Sequence, residues 1–213
     1  MPYGHRRGWG ERVKATELSI SGAWEFVPQR FADDRGSFHV WYDATVFSAA
    51  LGFEFAVAQT NHSVSRRGVI RGIHWADVPP GQGKYVYCPR GALLDVVVDL
   101  RVGSPTFGAH EFVRLDDVEG RALYLAEGLG HGFVALEDDT VLSYLCSTGY
   151  NPARERIVNV FDEELALPWP AIAPPILSER DTDGPRLAEL RAAGLLPDYA
   201  DCLAHYRTLR GEA

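Results

Sequence analysis

The sequence predicts a mainly β fold, a sandwich or barrel of many short strands with helices at its C-terminal end. Residues 18–170 consist of short apolar runs separated by turn residues, a pattern typical of a sandwich or barrel. The tail instead spaces its apolar residues as helices do. A chain of 213 residues can form one domain that buries a core without disulfides or metal.

Nine of the apolar runs are predicted to be strands. Turn residues such as Pro79-Pro80-Gly81 lie between them. Within residues 93–100, Asp95 and Asp99 are predicted to share one face, because side chains alternate along a strand. The nine runs are residues 23–27, 37–42, 55–61, 84–88, 93–100, 110–114, 122–125, 132–136 and 141–146.

Three helices are predicted, one early and two in the tail. Asp43 can cap the first and Gly52 can end it, with apolar residues at helical spacing between them. The tail helices are residues 185–193, which begin with Pro, and residues 198–210, which carry a stripe of Leu and Tyr. The architecture is therefore a β core with C-terminal helices.

The composition divides the chain into three parts. Residues 1–16 are polar, Gly-rich and basic, so we expect a flexible N-terminal arm. Residues 17–175 form the β domain. Residues 176–213 form a helical extension, which we expect to pack on the same domain.

Charge and cysteine usage narrow the function classes. A net charge of −8 and a pI of about 5.3 argue against nucleic-acid binding, although a local Arg cluster can still hold a phosphate. The three cysteines are widely spaced, which predicts reduced thiols in a cytoplasmic protein. We expect no signal peptide, because no apolar run follows the charged residues near the start. No run approaches the ~20 apolar residues of a membrane span, so no membrane association is expected.

The seven histidines first suggest a metal site. Metal-binding jelly rolls use a His-x-His pair, because the ligands must converge from adjacent strands. Here His62, His74, His110 and His131 are all isolated. We therefore expect no metal and no other cofactor.

Residues 66–74 carry the strongest chemical signal. They contain three Arg, two Gly and a closing His74. One interpretation is a basic edge strand with a solvated His. The other is an anion clamp beside a general base, since the planar Arg fork binds phosphate with two hydrogen bonds.

Together with later segments, these residues resemble the dTDP-4-keto-6-deoxyglucose epimerases, the 3,5-epimerases of rhamnose biosynthesis. The likeness runs from about residue 18 to residue 185 and rests on six pieces in the family's order. They are Arg67 through His74, Gln82-Gly83-Lys84, Ser104-Pro105-Thr106-Phe107-Gly108, Gly128 through Phe133, Tyr144 with Asn151-Pro152, and Ser178 with Asp181.

The resemblance implies a cupin-type jelly roll, a double-stranded β-helix, that acts as a homodimer on a dTDP-linked 4-keto-6-deoxysugar. It implies that His74 is the base that removes a proton next to the ketone, held by Asp181. Tyr144 would lie on the opposite face of the sugar and return a proton there. Lys84 would stabilise the enolate that forms between these steps.

The resemblance also implies a set of substrate-binding residues. Arg71 binds the substrate, and Arg35 is expected to reach the diphosphate across a dimer interface. Gln59 and Asn61 match a polar pair near the nucleotide, and His131 lines the sugar pocket. Two interpretations of Asp95 stay equally open. It is either an inward-facing carboxylate with a role in the site or a buried Asp whose hydrogen bonds are satisfied within the core.

Departures from the family pattern concern which carbon is inverted. Trp75 and Ala76 stand where rhamnose-pathway members usually have Phe or Tyr and then Gln, and Gly149 replaces the first of two adjacent Tyr. These features resemble the branch serving antibiotic and other secondary deoxysugars, and the resemblance to that branch implies inversion of only C3 or only C5. The alternatives are a nucleotide-sugar ketoisomerase and an inactive sugar-nucleotide-binding cupin.

Overall fold

The computed structural model describes residues 12–172 and 174–212. Its helices are α1 (Ala44–Leu51), α2 (Glu179–Thr182), α3 (Leu187–Ala192) and α4 (Tyr199–Leu209). Its strands are β1 (Val13–Glu17), β2 (Ala23–Pro28), β3 (Phe31–Asp33), β4 (Gly36–Phe38), β5 (Gln59–Ser65), β6 (Ile70–Ala76), β7 (Lys84–Arg90), β8 (Ala92–Asp99), β9 (His110–Asp116), β10 (Ala122–Leu125), β11 (Leu129–Ala135), β12 (Thr140–Cys146) and β13 (Glu155–Ile157).

Two antiparallel sheets face each other. The six-stranded sheet has the order β1-β2-β10-β7-β12-β5, and the five-stranded sheet has the order β13-β6-β11-β8-β9. Strands β3 and β4 form a separate hairpin. This is the predicted jelly roll with C-terminal helices, and the fold class is confirmed.

The five-stranded sheet is buried on both faces. Its inner face, with Val97 and Phe133, packs against the six-stranded sheet. Its outer face, with Val96 and Val98, is covered by the chain after β13. Double burial explains why β8 lacks the polar alternation of a half-exposed strand. Asp95 and Asp99 lie opposite inner-face residues of β11, so the prediction that they share a face is confirmed.

The early helix forms as predicted. The Asp43 carboxylate accepts hydrogen bonds from the backbone N–H groups of Thr45 and Val46, and Gly52 ends the helix in the left-handed conformation at φ 82°. Both tail helices also form, one or two residues shorter at each end than predicted.

Two predicted strands differ most from the structure in extent. The strand predicted at residues 37–42 ends at Phe38, because Trp41 and Tyr42 leave the sheet and pack on Tyr85. The strand predicted at residues 55–61 begins only at Gln59, since Phe55 packs into the core from the preceding connection. Apolar content in both places reflects loop packing rather than strand pairing.

Most of the predicted N-terminal arm, residues 1–16, lies outside the described residues. Its last part is not an arm, because Val13–Glu17 forms β1 and pairs with β2. Val13 is buried in the core and Ala15 packs against it, which ties this segment to the sheet. The other domain boundaries stay predictions.

Candidate active site

A cavity of about 430 Å³ lies between the two sheets. Strands β6 and β11 supply one wall, β7 and β12 supply the facing wall, and residues 176–181 complete the lining. Six of the nine predicted site residues line it, namely His74, Asp181, Tyr144, Lys84, Arg71 and His131. The fold therefore brings together residues that are up to 110 positions apart in the chain (Arg71 to Asp181).

An irregularity in β6 turns both Arg71 and His74 toward the cavity. Residues three apart on a regular strand point to opposite faces. Here β6 contains one residue more than β11 beside His131, which lies opposite His74 in the ladder. Gly72 occupies this bulge at φ 135°, and a Cβ there would lie 2.6 Å from the Cα of Gly132. Gly72 is therefore required for the strand to present both side chains.

His74 is held by a carboxylate from the C-terminal segment. Its Nε2 lies 2.7 Å from Oδ1 of Asp181, which is buried. Asp181 sits in α2, where its backbone N–H donates to the Ser178 hydroxyl that caps the helix. Because the carboxylate accepts from Nε2–H, the Nδ1 atom of His74 keeps its lone pair. The side chain of His74 is 30% exposed, so a ligand can reach it.

His131 has a partner of the same kind. Its Nε2 lies 2.8 Å from Oδ2 of Asp95, which is fully buried. The other carboxylate oxygen of Asp95 has no hydrogen-bond partner in the described structure. The five-stranded sheet therefore brings two imidazoles to the cavity, each fixed by an Asp.

Lys84 approaches from the six-stranded sheet without a partner of its own. Its side chain is buried, and the ammonium forms no hydrogen bond or ion pair within the described residues. Burial lowers the pKa of its ammonium, an effect that Glu155, Cys146 and Asp95 partly oppose. Its ammonium can therefore contact an oxygen of a bound ligand.

Tyr144 lies on β12, next to Lys84 on the neighbouring strand β7. In the ladder Tyr144 pairs with Val86 and Cys146 with Lys84, so all four side chains share one face. Burial first, and then the nearby Cys146 and Glu155, raise the pKa of the Tyr144 hydroxyl. A hydroxyl with a raised pKa stays protonated near neutral pH and can donate a proton.

Gln59 and Asn61 are adjacent to Tyr144 but do not line the cavity. They lie on β5, where Asn61 is opposite Tyr144 and Gln59 is opposite Cys146. The Gln59 amide donates to Oδ1 of Asn61 at 2.7 Å and its oxygen accepts from the backbone N–H of Tyr150. The pair thus forms the edge of the site.

Arg35 lies outside the cavity of its own chain. It is at the tip of the β3–β4 hairpin, where its guanidinium pairs with Asp33 and 89% of its side chain is exposed. Within one chain the structure does not bring Arg35 to His74. Its predicted contact with the diphosphate requires a second copy of the protein.

The sequence analysis gave no role to several polar residues at the site, although it named Ser178 as part of a family motif. Arg180 and Ser178 line the cavity beside Asp181, and Glu155 lies near enough to act on Lys84 and Tyr144. The Ser-Glu-Arg-Asp run that holds Ser178 and Asp181 could have pointed to Arg180. Nothing in the three-residue strand β13 marked Glu155.

Two residues that depart from the family pattern, Ala76 and Gly149, lie close together in the fold. Ala76 and Gly149 both line a second cavity of about 310 Å³, which Glu155 also lines. Ala76 lies two residues after His74 on β6. Small residues at both positions leave room close to the site.

Two further findings concern metals and membranes. Within residues 12–172 and 174–212, no three His, Cys, Asp or Glu side chains are grouped so that they could hold a metal ion. In the same residues, no helix is long and apolar enough to cross a membrane.

Comparison with known proteins gives a consistent result. A family model described as dTDP-4-dehydrorhamnose 3,5-epimerase matches residues 17–189. A dTDP-4-dehydrorhamnose 3-epimerase of Streptomyces niveus is 57% identical over 192 residues, 90% of this chain and 92% of that protein. A dTDP-4-dehydrorhamnose 3,5-epimerase of Mycolicibacterium smegmatis is 53% identical over 198 residues, 93% of this chain and 98% of that protein.

The fold agrees with a solved structure of similar sequence. ChmJ, a 3'-monoepimerase from Streptomyces bikiniensis in complex with dTDP-quinovose, superposes with a TM-score of 0.90 at 49% identity. The match covers 92% of this chain and 99% of that chain. Relatives at nearly equal identity thus invert one carbon or two.

Proposed function

The chain belongs to the dTDP-4-dehydrorhamnose 3,5-epimerase family, and from that premise we propose how its cavity performs the reaction. The protein is an epimerase that inverts C3, C5 or both in a dTDP-4-keto-6-deoxyhexose, in deoxysugar biosynthesis. One observation carries the mechanism: a His–Asp pair and a Tyr hydroxyl approach the same cavity from opposite sheets. Inversion requires such an arrangement, because the proton leaves from one face of the sugar and returns to the other.

His74 is the base. Asp181 fixes the tautomer with hydrogen on Nε2, so Nδ1 accepts the proton from the carbon next to the ketone. Asp181 also stabilises the imidazolium that results. As the C–H bond breaks, its electron pair forms the enolate with the ketone oxygen.

Lys84 stabilises that enolate. A buried ammonium without a partner is ready to contact the oxygen as negative charge develops on it, in a site from which most water is excluded. The ammonium of Lys84 then gains an anionic partner, the enolate oxygen, only when the substrate reacts.

Tyr144 returns a proton to the opposite face of the same carbon. Its raised pKa keeps the hydroxyl protonated until the enolate forms. The ketone is regenerated, Tyr144 is reprotonated from solvent, and His74 releases its proton. The sugar leaves with one centre inverted and no change in oxidation state.

Cationic and polar residues at the mouth bind the nucleotide part. Arg71 and Arg180 line the cavity and suit the diphosphate, while Gln59 and Asn61 lie beside Tyr144 at the edge. His131, fixed by Asp95, lines the sugar pocket.

The acting form is a homodimer in which Arg35 of each subunit binds the diphosphate in the other subunit's cavity. Two exposed regions support this arrangement. The β3–β4 hairpin presents Phe31 and Phe38, which are 45% and 62% exposed, and β5 forms an outer edge of the six-stranded sheet. Alanine at Arg35 is expected to raise KM with little change in kcat, and sedimentation reports the dimer.

The enzyme acts in the cytoplasm. All three cysteines are buried and free. Free thiols are usual in a reducing compartment.

The mechanism is tested by incubation with dTDP-4-keto-6-deoxyglucose in deuterated water. The wild type incorporates deuterium at the carbon it inverts and leaves the ketone at C4. His74→Ala abolishes incorporation, whereas His205→Ala on α4 leaves it unchanged. Incorporation by His74→Ala would contradict the mechanism, a carbonyl found at C3 would identify a ketoisomerase, and no exchange by the wild type would identify an inactive binding protein.

A further inference from the structure

Glu127 is a buried acidic residue that no step described above uses. It lies in the turn between β10 and β11 and is 2% exposed. All of its recorded side-chain hydrogen bonds within the described chain come from uncharged donors. Burying a carboxylate among neutral groups costs folding free energy, so this residue is expected to have a function that offsets the cost.

Its contacts converge on the residue that precedes Lys84. Oε1 of Glu127 accepts from the backbone N–H of Gly83 at 3.1 Å and from the Ser147 hydroxyl at 2.9 Å. The Gly83 N–H is also 2.8 Å from that hydroxyl. Oε2 of Glu127 accepts from the hydroxyl of Tyr124 at 3.4 Å. Glu127 thereby joins the start of β7 to the end of β12.

The loop before Lys84 is packed directly on this side chain. A Cβ at Gly81 would lie 2.6 Å from Cβ of Glu127, and a Cβ at Gly83 would lie 2.7 Å from its Oε1. The ammonium of Lys84 forms no hydrogen bond or ion pair in the described residues. The backbone at Gly83 therefore has the main part in deciding where the Lys84 ammonium lies.

The same turn is held from its other side by α4. The Tyr206 hydroxyl donates to the backbone carbonyl of Glu127, and a Cβ at Gly128 would lie 2.5 Å from Sγ of Cys202. These contacts stabilise the turn without touching the Glu127 carboxylate. They supply a control that separates support of the turn from support of Lys84.

We propose that Glu127 is a positioning residue for the epimerisation, which fixes the start of β7 so that Lys84 meets the ketone oxygen. The inference rests on the proposed function of Lys84. A small displacement of a charged group from a developing charge is enough to lower a rate by about ten- to a hundredfold.

The test compares Glu127→Gln with Tyr206→Phe. Gln keeps the shape but removes the negative charge and faces at least one of the three donors with an N–H₂ group, so kcat falls about ten- to a hundredfold while KM stays within about threefold. Tyr206→Phe lowers the melting temperature and leaves kcat near the wild-type value. In a Lys84→Met background, the effect of Glu127→Gln on the rate disappears, because the position of a missing ammonium no longer matters.

Equal losses of kcat in both variants, or additive effects of Glu127→Gln and Lys84→Met, would overturn the inference. If Glu127→Gln does not fold, Ser147→Ala removes one donor and is expected to give a smaller loss of kcat with the same dependence on Lys84. Hydrogen exchange of the Gly83 amide separates this inference from the proposed function. Exchange faster in Glu127→Gln than in Tyr206→Phe supports the hold on Gly83 even if turnover is absent, and equal exchange contradicts it.

Discussion

The two sheets contribute side chains to one cavity, and those side chains differ in whether they have a charged partner within the protein. On the five-stranded side, His74 and His131 each bind a buried Asp, at 2.7 and 2.8 Å. On the six-stranded side, Lys84 and Tyr144 have no ionic partner within the described residues. The two His side chains are therefore hydrogen-bonded before substrate binds, whereas Lys84 and Tyr144 are free to interact with the substrate.

This difference matches the chemistry proposed for each wall. A base must hold one tautomer throughout, and a carboxylate on the remote nitrogen achieves this. A group that stabilises developing charge is most effective when it has no competing partner and little water around it. Burial accordingly lowers the pKa of Lys84 and raises that of Tyr144, since it disfavours the charged form of each.

Removing the charge of Asp181 breaks the paired wall and is expected to have the largest effect. In Asp181→Asn an amide faces Nε2 of His74, so the wrong tautomer is favoured and the rate of deuterium incorporation falls by about 10³- to 10⁴-fold. Asp183→Asn, two residues on and exposed, is the matched control with an unchanged rate. Near-wild-type exchange by Asp181→Asn would mean that His74 does not depend on its partner.

Removing the ammonium of Lys84 tests the unpaired wall. Lys84→Met keeps an apolar chain of similar length and is expected to lower kcat by about 10²- to 10³-fold, the usual effect of losing a donor to a developing oxyanion. The only other lysine in the chain, Lys14, is exposed on β1, and Lys14→Met is the control. Steady-state rates for the pair decide the point, and equal rates would remove Lys84 from the mechanism.

The lowered pKa of Lys84 predicts opposite pH trends for activity and stability. Activity falls as pH rises through the folded-state pKa, below the 10.5 of an ordinary lysine, because the ammonium loses its charge. In the same interval the folded state binds fewer protons than the unfolded state, so the contribution of Lys84 to stability rises with pH. The difference between wild type and Lys84→Met, in rate profiles and in denaturant unfolding from pH 7 to 10, measures both trends, and parallel curves would contradict them.

Local signals in the sequence predicted a β sandwich or barrel, and family resemblance supplied the jelly roll and the roles of the site residues. The capping Asp43 and terminating Gly52 are local, and so is the apolar run that became β8. The bulge at Gly72 is not, because it depends on the approach of β11 across the sheet. The role of Asp181 came from resemblance alone, because Asp181 is far from His74 in the chain. Glu155 was missed because β13, the strand that carries it, has only three residues.

The claim that the two walls serve opposite faces of the sugar is tested most directly by Tyr144→Phe in deuterated water. With His74 and Lys84 intact, this variant is expected to exchange the proton next to the ketone while inversion falls by about 10²-fold or more, since the acid on the second face is lost. Deuterium then enters with the configuration retained, which NMR of the recovered sugar reports. Inversion at the wild-type rate, or loss of exchange together with inversion, would contradict the assignment of His74 and Tyr144 to opposite faces.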